Sequence, residues 1–160
     1  MFYALCALFA GLIVAADQAT KYLVLTQIPY GGEVPLLPGV VRLTHVHNYG
    51  AAFSALQGQK WLFFLVFALF TLVIVLFLWK KWVPFTKLEV LSLAAIYGGG
   101  LGNVIDRAAR GYVVDMIETE FIRFPVFNVA DCFITCGAVL LCVHLLFFNK
   151  EFWKKDGPKA

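Results

Sequence analysis

Charge is scarce in this chain. Of its 160 residues, 14% are charged, against about 25% in an ordinary soluble domain. A disordered tail is excluded, because disorder needs many charges and few apolar side chains. Positive charge is barely in surplus: 13 Lys and Arg against 10 Asp and Glu leave a formal net charge of +3. That surplus is scattered, so no nucleic-acid partner is expected. Cysteine is sparse as well. Cys6, Cys132, Cys136 and Cys142 lie in apolar stretches, and no pair has zinc-ligand or redox-motif spacing. Cys132 and Cys136 share a helical face and read as small hydrophobes of a bundle. The N-terminus lacks the basic region and clean cleavage site of a secretory signal, so Met1–Ala16 reads as part of a retained membrane helix. No internal repeat, low-complexity tract or second domain is visible, and one domain over residues 1–160 is expected.

Oily side chains are what the sequence has in excess. Hydrophobic residues make up 61% and aromatics 16%, with a mean hydropathy of +0.81. A soluble particle of this size cannot bury so much, because small domains hide only part of their surface. A cytosolic enzyme is therefore excluded, and the bilayer is the solvent. A membrane-spanning helix needs roughly 17–25 mostly apolar residues. The clearest is Trp61–Trp79, uncharged throughout, with a tryptophan at each end suited to the headgroup level. Phe127–Phe148 is a second, interrupted by Asn128, Asp131 and His144. Phe2–Leu25 and Leu88–Ala109 are weaker, since they carry Asp17, Gln18 and Lys21, and Asn103, Asp106 and Arg107.

Two connections are too long for turns. Thr26–Lys60 opens with Pro29, Gly31, Gly32, Pro35, Pro38 and Gly39, after which Val40–His47 has strand composition. In Arg110–Val126, the runs Tyr112–Ile117 and Phe121–Val126 can pair across Glu118, Thr119 and Glu120. The expected fold is an all-α membrane protein: four transmembrane helices with a small extramembrane β-cradle on the outer face. Lys80, Lys81 and Lys87 after the second helix, and Lys150, Lys154, Lys155 and Lys159 in the tail, lie on one side. Arg42, Lys60, Arg110 and Arg123 lie on the other. This bias predicts cytoplasmic termini and both long loops outside.

Four alternating helices impose one more consequence. The first and third end on the face where the second and fourth begin. Asp17, Lys21, Asn103, Asp106, Arg107, Asn128 and Asp131 therefore converge on that face, whichever way up the chain inserts. Asp115, in the connection between the third and fourth helices, joins them. Pairing within helices is available, Asp17 with Lys21 at i,i+4 and Asp106 with Arg107 or a neighbouring helix. Asn103 with Arg107, and Asn128 with Asp131, each present one polar face. Ala94, Gly98 and Gly102 form a small-residue stripe that admits another helix closely. Asp115 and Asp131 have no cation at helical spacing, and apolar neighbours flank both. Desolvation raises the pKa of such carboxylates, and two together hold one proton between them. That is the state in which one carboxylate activates water while the other protonates a carbonyl.

Five blocks carry a resemblance. Asp17-Gln18-Ala19-Thr20-Lys21, Asn48-Tyr49-Gly50-Ala51-Ala52-Phe53, Gly102-Asn103-Val104-Ile105-Asp106-Arg107, Val113-Val114-Asp115 and Phe127-Asn128-Val129-Ala130-Asp131 occur in that order. Together the chain resembles the bacterial lipoprotein signal peptidase family, signal peptidase II. The resemblance implies an aspartic endopeptidase of the inner membrane, acting on diacylglyceryl-modified prolipoproteins and cutting before the lipidated cysteine. It implies Asp115 and Asp131 as the catalytic pair. Asp17, Lys21, Asn48, Gly102, Asn103, Asp106, Arg107, Asn128 and Ala130 fall on positions that support the site. Met116 stands where an aromatic residue or Leu is commoner. The expected partners are the lipidated substrate and membrane lipid, with no cofactor, no metal and a monomeric state. Phe53 is an expected substrate contact.

Other groups carry blander readings. His45 and His47 make an H-x-H on a strand, but no H-E-x-x-H and no obvious third ligand accompany them, so they read as solvent-facing alternate residues. His144 reads as a hydrogen-bonded packing residue deep in the fourth helix. Ser54 lacks a Lys or His dyad context, which disfavours a serine peptidase. A proton-coupled transporter is the rival class, but its carboxylates belong near the midplane.

Overall fold

The four apolar stretches form helices α1 (Phe2–Gln27), α2 (Lys60–Lys80), α3 (Lys87–Ala109) and α4 (Val129–Phe147). They are seen in a computed structural model that describes residues 1–50 and 56–153. Phe53 and Ser54, and Lys154, Lys155 and Lys159 of the tail, lie outside the described residues. All four helices are long and apolar enough to cross a membrane. Their bounds agree with the expected ones within a turn.

Lipid tails supply no hydrophobic drive between helices, so association rests on close packing. Glycines on α3 provide it. A Cβ on Gly98 would sit 2.8 Å from the Ala10 carbonyl oxygen of α1, and one on Gly102 2.5 Å from Asp17 Oδ2. The expected small-residue stripe thus receives α1. A second contact was not anticipated: Gly99 abuts the Ala130 carbonyl of α4, and a Cβ on Gly137 would lie 3.0 Å from the Ser92 carbonyl. These glycines make α3 the middle element, with α1 and α4 on its two sides. Helix α2 buries no residue and is apolar all round, as a lipid-facing helix must be.

Side chains mark two helix starts. Thr86 and Glu89 form a capping box at α3, and Asn128 and Asp131 form one at α4. The second corrects the expectation that Asn128 and Asp131 share a helical face. Asn128 is the N-cap, so α4 begins at Val129 and not Phe127. At the other end of the bundle Glu89 is fully buried. His144 Nδ1 lies 2.8 Å from its Oε1, and Asn149 Nδ2 donates to both of its oxygens. His144 is hydrogen-bonded as expected, but it occupies the last turn of α4 and not its depth.

The cradle is a three-stranded antiparallel sheet, β1 (Glu33–Leu37), β2 (Val41–Asn48) and β3 (Val113–Thr119), in that order. Strand β1 was hidden among turn formers, which bracket it with Gly31 at φ 73° and Gly39 at φ 78°. Phe121–Val126 forms no strand. Pro125 lacks a donor for a ladder, and β3 takes β2 as its partner, leaving an isolated bridge between Ile117 and Phe127. Arg42 clips the pair through a bidentate bond to Glu118, both contacts 2.9 Å.

Strand alternation sorts the chemistry. Val46 lies opposite Asp115 and His47 opposite Val114. Asp115, Val46 and Asn48 therefore share one face. On the other, Val114 and Met116 pack against Val24 and Ile28 at the end of α1. This second face also takes His45 and His47, and His45 is 5% exposed. The solvent-facing reading of that pair is corrected: the end of α1 closes over their side of the sheet.

Candidate active site

The polar residues of three helices and two strands meet in one hydrogen-bonded network, as the topology requires. Lys21 Nζ is its hub, 2.9 Å from Asp17 Oδ2, 3.1 Å from Asp106 Oδ2 and 2.9 Å from Asn103 Oδ1. Lys21, Asp17 and Asp106 are all fully buried. Asp17 Oδ1 accepts the Ala130 amide at 3.0 Å, so a carboxylate of α1 caps the first turn of α4. Asp106 Oδ2 accepts the Val114 amide at 3.0 Å, which ties α3 to β3. Its Oδ1 accepts Arg110 Nη1 at 2.5 Å. Two carboxylates and two cations make this cluster neutral, the condition for burying it. Among the described residues no buried side-chain nitrogen or oxygen lacks a partner.

From the hub the network reaches the two remaining aspartates. Asn103 Nδ2 donates to Asp131 Oδ1 at 2.8 Å. Asn128, fully buried, touches both carboxylates. Its Nδ2 donates to Asp115 Oδ1 at 2.6 Å, and its backbone amide to Asp131 Oδ2 at 3.1 Å. Asn48 Nδ2 holds the other oxygen of Asp115 at 2.9 Å, while Asn48 Oδ1 accepts the Gly50 amide. Arg107 donates to the Gly50 carbonyl at 2.7 Å and stacks 4.0 Å over the Phe63 ring. It therefore fixes the start of the loop after β2 against α2 and α3.

Asp115 is 3% exposed. Burial pushes its carboxyl up from 3.8 to about 6; the Asn48 hydrogen bond opposes the rise and the charge of Asp131 adds to it.

Two hollows meet at this residue. One is a cleft of about 770 Å³ among α2, α3 and α4, walled by Phe63, Phe67, Phe70, Ile96 and Ile134 and ending at Asn103, Asp115 and Asp131. The other, of about 860 Å³, runs along the sheet between Val46 and Tyr49 on one side and Phe121 and Phe124 on the other. Asn48 and Asp115 line both. A carboxylate pair thus stands where an apolar slot in the bundle opens into an extramembrane groove.

Known proteins resemble this chain in sequence and fold. The chain matches the family model for signal peptidase (SPase) II over residues 9–147. The chain belongs to the signal peptidase II family. It is 40% identical over 145 residues to a lipoprotein signal peptidase of Streptococcus agalactiae serotype Ia, covering 91% of this chain and 89% of that one. A lipoprotein signal peptidase of Lactococcus lactis is 41% identical over 133 residues, covering 83% and 87%. A bacterial membrane enzyme solved by the in meso method at 2.3 Å superposes with a TM-score of 0.85 at 31% identity, covering 96% of this chain and 94% of that one.

Within this signal peptidase II framework, every supporting residue expected from the motifs joins the network or packs directly on it, Gly102 by admitting Asp17. For Asp106 the neighbouring-helix alternative holds, and α3 adds a partner of its own. Asp106 bonds Arg110 and Lys21, not Arg107, because Arg107 points toward Gly50 and Phe63. Two participants were missed. Gln18 Nε2 donates to Asp106 Oδ1 at 3.0 Å and to Asp17 Oδ2 and the Gly102 carbonyl at 3.2 Å. Arg110 was counted as a loop charge, although its i,i+4 spacing from Asp106 was a readable signal. Glu89 was passed over at the far end of α3, although the Thr86-x-x-Glu89 capping box announces it.

Proposed function

We propose that this chain is a membrane aspartic endopeptidase that removes signal peptides from diacylglyceryl-modified prolipoproteins, with Asp115 and Asp131 as its catalytic pair. The observation that carries the reading is the position of the two carboxylates, bridged by Asn128, at the junction of the apolar cleft and the outer groove. A signal peptide is an apolar helix that arrives through lipid, and the diacylglycerol holds its cut site at the membrane surface. The cleft accepts acyl chain and apolar peptide, while the groove beside the sheet takes the polar chain beyond the cut.

The chemistry follows from the environments. Asp115, buried beside a second carboxyl, carries the shared proton. Asp131, held by Asn103 and Asn128, takes a proton from water as the oxygen attacks the scissile carbonyl carbon. Asp115 gives its proton to the carbonyl oxygen. When the tetrahedral intermediate collapses, the C–N bond breaks, the leaving amine takes the proton from Asp131, and Asp115 takes one back from a hydroxyl of the intermediate. Asn48, Asn103 and Asn128 act as positioning residues, and the buried Lys21 cluster sets Asn103.

The chain is read as a monomer of the bacterial inner membrane with cytoplasmic termini and its site at the outer face. The lysines after α2 and in the tail support that orientation.

Purified protein incubated with a diacylglyceryl precursor is expected to release the signal peptide with the modified cysteine at the new N-terminus, as mass spectrometry reads it. Cleavage elsewhere, or none, removes the assignment. The pH profile tests the proton's location. In kcat/KM the alkaline limb is expected near pH 6, where Asp115 loses its proton. Asn48→Ala removes a donor that favours the carboxylate. Its limb is expected to move up by about one pH unit, the size of a hydrogen bond to a charged group. A limb that stays in place denies Asp115 the acid's role.

A further inference from the structure

Two histidines on the far face of the sheet take no part in this chemistry. His45 Nε2 and His47 Nε2 point at each other, 3.0 Å apart. His45 Nδ1 lies 2.8 Å from the Ile28 carbonyl oxygen. A carbonyl only accepts, so Nδ1 carries the proton and Nε2 presents a lone pair. Metal-binding histidines are oriented in the same way, the distal ring nitrogen donating to a backbone carbonyl or carboxylate. His47 is held just as firmly, stacked 3.7 Å from Tyr112 and with the Tyr30 ring 4.6 Å away. Its side chain is only partly buried, which leaves a path from solvent.

We propose that His45 and His47 form a two-imidazole binding site for a divalent first-row transition-metal ion, outside the membrane and on the sheet face opposite the aspartates. Bonds of about 2.0–2.1 Å put neighbouring ligand nitrogens roughly 2.8–3.0 Å apart at a right angle and roughly 3.3–3.4 Å apart in a tetrahedron. The observed 3.0 Å is the length of the hydrogen bond that joins the rings and is also the separation that the right angle needs. Tetragonal nitrogen sites suit Cu²⁺, which also stands highest in the affinity order. Because His45 Nε2 presents a lone pair, the Nε2–Nε2 contact makes His47 the donor, with its proton on Nε2. Binding then requires a tautomer change: the His47 proton leaves Nε2, a proton is taken up at Nδ1, and Nε2 joins the ion with no change in the ring's charge. Water completes the coordination, since among the described residues no group of three His, Cys, Asp or Glu is placed to hold a metal.

Tag-free protein titrated with Cu²⁺ near neutral pH tests this. One ion per chain is expected, with electron paramagnetic resonance splitting from two imidazole nitrogens. His47→Gln preserves the His45–Ile28 bond and is expected to weaken binding at least about tenfold, the lower end of what outer-shell changes alone cost at metal sites. His144→Gln, at the other end of α4, leaves it unchanged. The chain has 3 histidines and His144 is held by Glu89, so a two-imidazole spectrum identifies the pair even should the His47 variant not fold. A spectrum without two nitrogens, or undiminished binding in folded His47→Gln, overturns the site.

Discussion

Asp115→Asn and Asp131→Asn are each expected to lose about 10⁴-fold in turnover of a lipidated precursor, at the upper end of what one acid or base contributes. Both are needed because Asp131 takes the proton of the attacking water while Asp115 supplies one to the carbonyl oxygen. The two variants differ in stability. At Asp115, an amide turns one donor toward either Asn48 Nδ2 or Asn128 Nδ2, which costs about 1–3 kcal/mol. The substitution also removes a buried charge. A carboxyl raised from 3.8 to about 6 binds its proton more tightly when folded. Its stabilising contribution is complete below 3.8 and lost as pH rises through 6. The ionised group therefore weighs on the fold by about 3 kcal/mol at neutral pH. Asp115→Asn is thus expected to unfold at or near the wild-type temperature at pH 7, gaining on wild type between pH 4 and 6. At Asp131, the amide confronts Asn103 Nδ2. Asn103 cannot flip, because its Oδ1 already accepts Lys21 and Asn128. Asp131→Asn should therefore lose about 1–3 kcal/mol along with activity. Near-native turnover in either variant, measured by mass spectrometry beside a thermal scan in detergent, removes the pair.

Lys21→Met is expected to be the most damaging change outside the pair. The ammonium has three donors and three acceptors around it, on Asp17, Asp106 and Asn103. Without it two fully buried carboxylates remain, and breaking a buried pair costs about 3–5 kcal/mol. Arg110 still serves Asp106, so Asp17 is the group left exposed to the penalty. Lys21→Met with Asp17→Asn should recover part of the loss, whereas Lys21→Arg should not, because a planar fork cannot replace three converging contacts. Turnover falls too, since Asn103 loses the partner that orients it toward Asp131. A Lys21→Met protein with wild-type unfolding temperature contradicts the role given to the cluster.

Much of this site is legible in the linear chain. Helices α1 to α4 follow from apolar runs and flanking residues, and the alternation of four spans brings the ionisable groups to one face. The Asp17–Lys21 contact is local and was readable from spacing. A neighbouring-helix partner for Asp106 was readable too, but the choice of Arg110, the C-cap of α3, over Arg107 was not. Two arginines stand within a turn of Asp106, and which one bonds it depends on where Gly50 and Phe63 draw the other. The cradle was half legible. Strand β2 shows its composition, but β1 is short, exposed and crowded with turn formers, and the β2–β3 pairing joins segments far apart in sequence.

Residue order alone therefore determined a four-span membrane chain, the end of the bundle where the ionisable groups gather, and the aspartates left without a local cation. Those features depend on hydropathy, on helix parity and on neighbours within one turn, all properties of the chain as a line. Tertiary structure decided that Asn128 bridges Asp115 and Asp131, that the Lys21 cluster is neutral, and that His45 meets His47 beneath Tyr30. Each of these rests on the rotation of a helix or the register of a strand. A shift of one residue moves a side chain about 100° around a helix or onto the other side of a sheet, and packing across the molecule selects which of those faces is buried.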